Sequence, residues 1–257
     1  MLTRLANPAR FMRLSGAMLP WLAGLTAALL AIGLGWALLL APPDYQQGES
    51  VRIMFIHVPS AWMALSIYLF IAIASGVALV SRHPLAEVAA QAAAPIGAVF
   101  TLVCLTTGSL WGRPMWGTWW VWDARLTSVL VLFFLYLGYI ALVNAFDDAS
   151  RGARAGSLLA LVGVVNLPII KFSVDWWNTL HQPASVIRMG RPAIDASMLI
   201  PLLIMAVAFM LLFAILLLLR MRTALNERKA RALSLYAAEP RRAAAPMPLP
   251  AAPAASR

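Results

Sequence analysis

The stretch ASMLIPLLIMAVAFMLLFAILLLL, Ala196 to Leu219, contains no charged residue. A helix that crosses the hydrocarbon core of a bilayer needs about 20 apolar residues, with a lower limit near 17. The other charge-free runs are Leu14 to Pro43, Ile53 to Ser81, Val88 to Gly112, Leu126 to Phe146 and Ala155 to Ile170. The sequence therefore predicts an all-α, polytopic membrane bundle of six transmembrane helices. The fifth run is the shortest, and we expect it to include Lys171, whose long side chain can snorkel to the interface.

The composition supports the same class of protein. Of the 257 residues, 62% are hydrophobic and 12% are charged, whereas soluble domains average about 25% charged residues. The first apolar run is longer than the core of a signal peptide, which is about 7–15 residues. We therefore interpret it as a retained first helix.

The distribution of basic residues predicts the orientation. Most of the 20 Lys and Arg residues lie before the first helix, in the second and fourth connections, or after the last helix. The positive-inside rule then places both termini in the cytoplasm. The net charge of +10 is accordingly explained by the topology and by attraction of the basic tail to an anionic lipid bilayer. It does not imply nucleic-acid binding.

The chain divides into two parts. Residues 1–222 form the predicted six-helix membrane domain, with a tryptophan-rich segment on the outer side at 111–128. Residues 223–257 form a cytoplasmic tail rich in Ala, Pro and Arg, a composition that cannot bury a core, so we expect it to be largely disordered.

Several function classes lack their sequence motifs. The chain has no G-x-x-x-x-G-K-[ST] phosphate-binding loop, so energy from ATP would have to come from a partner. A single cysteine, Cys104, excludes an intramolecular disulfide and a C-x-x-C-H haem attachment site. The membrane cores hold no ionisable residue in their middles, which disfavours a proton-coupled transporter or pump.

The segment WGRPMWGTWWVWDARLTS, Trp111 to Ser128, is the densest tryptophan cluster. Its spacing places Trp116, Trp119, Trp120 and Asp123 at i, i+3, i+4 and i+7, which predicts one face of a short interfacial helix. Such a face, together with Trp122, would offer an aromatic shelf to a large planar ligand. The alternative is that these tryptophans are interfacial anchors, but anchors decorate both interfaces, and here most lie in predicted outer segments.

Arginines surround this segment in the predicted outer loops. Arg113 and Arg125 flank it, and Arg52 and Arg188 lie in the other two outer loops. Guanidinium groups bind carboxylates in bidentate fashion, so the set suggests a flat ligand that carries carboxylates. Any one of these arginines alone would be an ordinary headgroup-level residue.

Two of the three histidines flank the tryptophan segment in sequence. His57 and His181 are each followed closely by a proline, which predicts that each begins a helix at the outer surface. His83 lies in a predicted cytoplasmic turn and is given no role. Imidazole is a common axial ligand of haem iron, so the two histidines, the shelf and the arginines together predict a non-covalent site for haem b. Asp123 is a candidate acceptor that would orient an imidazole or an indole N–H.

The residues Trp116 to Leu126, WGTWWVWDARL, resemble the WGxxWxWDxRL signature of haem-handling membrane proteins with a WWD domain, most closely the haem exporter C family of the cytochrome c maturation system. The resemblance covers Arg10 to about Arg222, and the outer histidines of that family correspond to His57 and His181. It implies a transport and assembly factor, rather than an enzyme, in the bacterial inner membrane. Such a factor presents haem to a periplasmic haem chaperone, with ATP-binding cassette transporter subunits and a small single-span membrane subunit as partners.

Two other functions remain open from the residues alone. A haem b electron-transfer subunit would usually place four ligands inside the helices, and here the usable pair lies on one side. A permease that uses tryptophans as an aromatic gate would bind no haem. A Soret absorption band would separate the permease from the other two.

Overall fold

The computed structural model describes residues 7–183, 185–186 and 188–243, with side chains described as far as residue 237. Within these residues the chain forms seven α-helices. They are α1 (Pro8–Gly35), α2 (Met54–Ser81), α3 (Pro84–Trp116), α4 (Ala124–Asn144), α5 (Ala149–Gly163), α6 (Asn166–Trp176) and α7 (Ala196–Ala243). A π-helical turn, Trp36–Leu40, extends α1, and a 3-10 turn, Glu49–Ile53, leads into α2.

These helices confirm the predicted polytopic bundle. Six helical segments of the described chain are long and apolar enough to cross a membrane, and the fifth, Ala149–Trp176, combines α5 and α6. This span includes Lys171, as expected. It is interrupted at residues 164–165, because Pro168 has no N–H to donate to the carbonyl of Val164.

The central helix is α3, which is the most buried of the spans, whereas α1 is the least buried. The small residues of α3 allow close helix packing, as is typical of membrane bundles. A Cβ on Gly97 would lie 2.2 Å from the ring of Tyr136 on α4. The Tyr136 hydroxyl in turn donates a hydrogen bond of 2.7 Å to the carbonyl of Ala64 on α2. These contacts join α2, α3 and α4 into one rigid core.

The connections between helices alternate between the two ends of the bundle. Residues 41–53, 117–123 and the described residues between 177 and 195 lie at one end, named here the loop end. Both termini of the described chain lie at the opposite end, where Arg222 on α7 donates to Ser15 on α1 at 2.9 Å and Arg228 pairs with Glu87 at 2.8 Å.

The last helix continues well beyond the predicted end of the membrane domain. The sequence predicted a largely disordered tail from residue 223, but α7 runs without interruption to Ala243. Residues 223–237 are rich in strong helix formers, and the Arg228–Glu87 pair fixes the first turns of this extension against α3. The remaining tail, residues 244–257, lies outside the described residues.

Candidate functional site

A cavity of about 1780 Å³ opens at the loop end of the bundle. Pockets for drug-sized ligands are about 300–1,000 Å³, so the space suits a larger molecule. Both candidate histidines and four tryptophans contribute to its wall, namely His57, His181, Trp62, Trp111, Trp116 and Trp120. The aromatic lining and the size fit a large planar ligand.

His57 lies in the first full turn of α2 and is held against α3. Its Nδ1 is 3.0 Å from the carbonyl oxygen of Cys104 and 3.1 Å from Oγ1 of Thr107. A carbonyl oxygen only accepts, so Nδ1 carries the proton and donates it. The neutral imidazole therefore keeps its lone pair on Nε2, the arrangement that metal-binding histidines use.

Two residues of α3 shape the space around the His57 ring. A Cβ on Gly108 would lie 2.9 Å from Cε1 of His57, so only glycine allows the ring to lie this close to the helix. The indole of Trp111 meets the imidazole edge-to-face, with ring centroids 5.7 Å apart. Trp111 is itself fixed by a 3.0 Å hydrogen bond from Nε1 to the side-chain oxygen of Gln47.

His181 lies in an irregular part of the chain between α6 and α7. Its ring meets Trp116 at a centroid distance of 4.9 Å, and its Nδ1 is 3.6 Å from Oδ2 of Asp123, which is too long for a hydrogen bond. Burial lowers the pKa of His181 to about 4, while the Asp123 carboxylate acts in the opposite direction and Arg125 adds to the lowering. This imidazole is therefore neutral at physiological pH and able to bind a metal.

Asp123 links α4 by hydrogen bonds to the segment that carries His181. Its Oδ1 accepts a 2.7 Å hydrogen bond from the N–H of Leu126 and so caps α4, as aspartate commonly does. Its Oδ2 accepts a hydrogen bond from the Thr179 hydroxyl. The backbone N–H of His181 donates to that same hydroxyl oxygen at 3.1 Å.

The predicted short helix through Trp116, Trp119, Trp120 and Asp123 is wrong. The α3 helix ends at Trp116, because Gly117 adopts a φ of 76°, a left-handed conformation that glycine tolerates. Residues 117–123 are not helical. The Asp123 cap then starts α4, so the i, i+3, i+4, i+7 spacing does not correspond to a helix face.

The tryptophans of the segment consequently divide into two groups. Trp116 and Trp120 line the cavity. Trp119 is 54% exposed and Trp122 is 76% exposed, and neither contributes to the cavity wall. Trp122 packs edge-to-face on Trp120 at 5.6 Å, so it supports a lining residue from outside.

The four candidate arginines divide in the same way. Arg125 and Arg188 line the cavity. Arg52 instead pairs with Glu49 and donates to the carbonyl oxygens of Ala37 and Leu38. Arg113 donates to the carbonyl oxygen of Gly117 and lies 6.0 Å from the ring centre of Trp119. Arg52 and Arg113 therefore stabilise the loops around the cavity.

The histidines also differ from their predicted local setting. His57 does lie near the start of a helix, although Pro59 falls inside α2 and after its first turn. His181 does not begin a helix, because the next helix starts only at Ala196. The proline that follows His181 belongs to a non-helical segment.

Two lining tryptophans, Trp62 and Trp111, were not predicted as site residues. A helical signal for Trp111 was present in the sequence, because Cys104, Gly108, Trp111 and Met115 fall at i, i+4, i+7 and i+11. All four line the cavity. This stripe marks the face of α3 that turns toward the ligand space.

Two histidines of the described chain, His57 and His181, line the cavity. No cluster of three or more His, Cys, Asp or Glu side chains suited to a metal occurs among the described residues. Haem iron needs only one or two axial side chains, since the porphyrin supplies the other ligands.

The family of heme exporter protein C matches residues 1–236. The chain is similar to heme exporter protein C of Bradyrhizobium diazoefficiens, with 63% identity over 234 residues that cover 91% of this chain and 89% of the relative. The Escherichia coli K12 protein of the same name is 52% identical over 221 residues, 86% of this chain and 89% of the relative. The Haemophilus influenzae protein is 50% identical over 226 residues, 88% and 92%. With a match across nearly the whole membrane region, the chain belongs to the haem exporter protein C family.

Proposed function

We propose that this protein binds haem b in the loop-end cavity, between His57 and His181, and delivers it to a haem chaperone during cytochrome c maturation. Its relatives are named for haem export, which supports the coarse function. The fit between a planar, dicarboxylate ligand and the cavity supports the finer one. In this proposal the protein acts as a transfer and assembly factor rather than as a classical enzyme.

The observation that carries the proposal is the hydrogen bond from Nδ1 of His57 to the carbonyl of Cys104, at 3.0 Å. It commits the imidazole to the tautomer with a free lone pair on Nε2. His57 also lines the cavity, so the nitrogen that carries this lone pair belongs to a residue of the cavity wall. A histidine that served only as a headgroup anchor would have no need of a buried backbone acceptor.

The remainder of the cavity suits the other parts of haem. Trp116 and Trp120 provide flat apolar surface for the macrocycle, where an aromatic contact adds about 0.5–1.5 kcal/mol beyond burial. Arg125 donates hydrogen bonds to two acceptors on α6, the hydroxyl oxygen of Ser173 at 2.8 Å and the carbonyl of Lys171 at 3.4 Å. A guanidinium has five N–H donors, so Arg125 and Arg188 are suited to bind the two propionates.

The proposed setting is the bacterial inner membrane, with the loop end in the periplasm and the opposite end in the cytoplasm. The excess of basic residues at the opposite end supports this orientation. The partners are the periplasmic chaperone, ATP-binding cassette transporter subunits that supply energy, and a small single-span membrane subunit. The sequence contains no G-x-x-x-x-G-K-[ST] phosphate-binding loop of its own.

Haem transfer tests the function directly. The purified protein, loaded with haem in detergent, should show a Soret band and should pass haem to the purified soluble domain of the chaperone when the two are mixed. Haem that stays with the protein through repeated redox cycles and does not transfer would instead indicate an electron carrier.

Cysteine labelling tests the orientation. In a Cys104→Ala background, Met189→Cys at the loop end and Ala149→Cys at the opposite end both introduce exposed thiols. An impermeant reagent added to spheroplasts should label residue 189 and leave residue 149 unlabelled. The reverse pattern would place both histidines in the cytoplasm and end the proposal.

A further inference from the structure

We propose that Thr107 is a positioning residue for haem: with Gly108, it fixes the direction of the His57 imidazole, and it reinforces the tautomer that the Cys104 carbonyl selects. The inference rests on the proposed function, since it assigns a role to a residue that acts through the axial ligand. Thr107 does not itself line the cavity, and it lies on α3 beside the stripe that does.

The hydrogen-bond pattern of Thr107 leaves it only one way to interact with His57. A threonine hydroxyl has a single proton. Oγ1 of Thr107 lies 2.6 Å from the carbonyl of Val103, one helical turn back, and 3.3 Å from that of Cys104, so this proton goes to a backbone oxygen. Toward Nδ1 of His57, 3.1 Å away, the hydroxyl oxygen can only accept.

His57 is therefore held by two acceptors from adjacent turns of one helix. The Nδ1 proton is shared between the carbonyl of Cys104 at 3.0 Å and the hydroxyl of Thr107 at 3.1 Å. A single acceptor allows the ring to pivot about the hydrogen bond, whereas two acceptors restrict that rotation. Only the Thr107 acceptor can be removed by substitution, because the other is backbone.

Gly108 completes this arrangement by allowing the close approach. A Cβ at residue 108 would lie 2.9 Å from Cε1 of His57, closer than real side-chain contacts. The ring would have to move away from α3, and both hydrogen bonds would lengthen. Thr107 and Gly108 thus act on the same ring. Thr107 accepts a hydrogen bond from it, and Gly108 leaves the space that it occupies.

The expected effect on iron follows from the chemistry of the imidazole. A hydrogen bond donated by Nδ1–H makes Nε2 a stronger electron donor, and loss of such an outer contact typically lowers metal affinity by about 10–100-fold. A stronger donor favours ferric over ferrous iron. Removing the Thr107 acceptor should therefore weaken haem binding and raise the reduction potential.

The principal test compares three variants of the full-length protein by haem titration and by redox potentiometry of the bound haem. Thr107→Val has the same shape without the hydroxyl and should bind haem about tenfold more weakly, with a higher reduction potential. Thr107→Ser keeps the hydroxyl and should behave as the wild type. Thr106→Val changes the exposed neighbouring threonine and should have no effect.

A second pair of variants protects the test against misfolding of Thr107→Val. Gly108→Ala should displace His57 and weaken haem binding at least as much. Gly24→Ala, where nothing lies within 4 Å of the added Cβ, is its matched control. Normal haem binding by both Thr107→Val and Gly108→Ala would overturn the inference, as would a loss in Thr107→Ser equal to that in Thr107→Val.

Failure of the inference and failure of the proposed function give different results. If His57→Gly leaves the haem spectrum unchanged, His57 is not a ligand and the proposed function itself is wrong. If His57→Gly changes the spectrum but Thr107→Val matches the wild type in affinity and potential, only the role of Thr107 is wrong.

Discussion

The two histidines of the cavity are held by different kinds of structure. His57 belongs to a transmembrane helix, donates to two acceptors on α3 and is sealed against Gly108. His181 belongs to an irregular segment, lies 3.6 Å from the nearest carboxylate oxygen and contacts Trp116 through its ring. Helix cores are the last parts of a protein to open, and loops are among the first. We therefore expect His57 to be the more firmly held of the two proposed ligands and His181 the more readily replaced.

This difference would suit the proposed function, in which the protein holds haem and then releases it. With two equally rigid ligands, the acceptor would have to break both at once. With two loose ligands, the iron would be exposed to water and oxygen before transfer. In the proposed function, His57 would retain the haem while His181 would give up its coordination position to the acceptor.

The largest effect is expected from replacing the fixed ligand. His57→Gly should lower haem affinity by more than about 100-fold, because it removes a direct iron ligand, whose loss should exceed the cost of losing an outer contact. Added imidazole should restore part of the binding. The measurement is a haem titration followed at the Soret band, with His83→Gly, at the opposite end of the bundle, as the control. Equal behaviour of the two variants would contradict the assignment of His57.

Replacing His181 should cost less. His181→Gly should lower haem affinity by less than His57→Gly does, because a ligand on an irregular segment loses more conformational freedom when it binds, and the haem should remain bound through His57 in a five-coordinate, high-spin form. The same titration, combined with an absorption spectrum of the ferric state, measures both. A larger loss in His181→Gly than in His57→Gly would reverse the comparison.

The tryptophans give a third, smaller contrast. Trp120→Ala should weaken haem binding by about threefold to tenfold, since it removes one aromatic contact from the cavity wall. Trp119→Ala should change binding less, because that ring is half exposed and outside the wall, and Trp21→Ala should leave it unchanged. Identical losses in all three would indicate that the tryptophans are general membrane anchors.

The smallest effect concerns pH. Because burial lowers the pKa of His181 to about 4, its imidazole stays neutral in the folded protein from about pH 5.5 to 8. The unfolded chain takes up this proton below its ordinary pKa of about 6.5. The contribution of His181 to the free energy of unfolding is thus present in full above about 6.5 and declines toward pH 4.

The haem spectrum should therefore be constant between about pH 5.5 and 8 and should change only as the pH approaches 4. Absorption spectra of the haem-loaded protein across this range measure the effect. A transition centred near the ordinary histidine value would show that His181 is exposed when haem is bound.

The fold was largely predictable from the sequence, because a bilayer requires long apolar helices and the apolar runs are unambiguous. The extension of α7 beyond Arg222 was not predicted, since composition alone does not reveal the pairing of Arg228 with Glu87. Pro168 explains the break between α5 and α6. The sequence alone, however, does not show that the helix continues on both sides of this break.

Several of the candidate residues line one cavity, as the sequence led us to expect, but their local geometry was not predicted. Spacing indicated a helix from Trp116 to Asp123, but Gly117 ends one helix and Asp123 caps the next, and these end signals outweigh periodicity over so short a segment. The role of Arg52 could not be read from sequence, because it depends on the carbonyls that the π-helical end of α1 presents. The contact between Thr107 and His57 could not be predicted, because the two residues are distant in sequence.

The most direct test of two-histidine ligation is electron paramagnetic resonance of the ferric, haem-loaded protein and its two single variants. The wild type should give a low-spin signal typical of two axial imidazoles, and both His57→Gly and His181→Gly should lose that signal in favour of a high-spin one. Added imidazole should restore the low-spin signal in each. A low-spin signal that persists unchanged in both variants would show that the iron is bound elsewhere and would contradict the account.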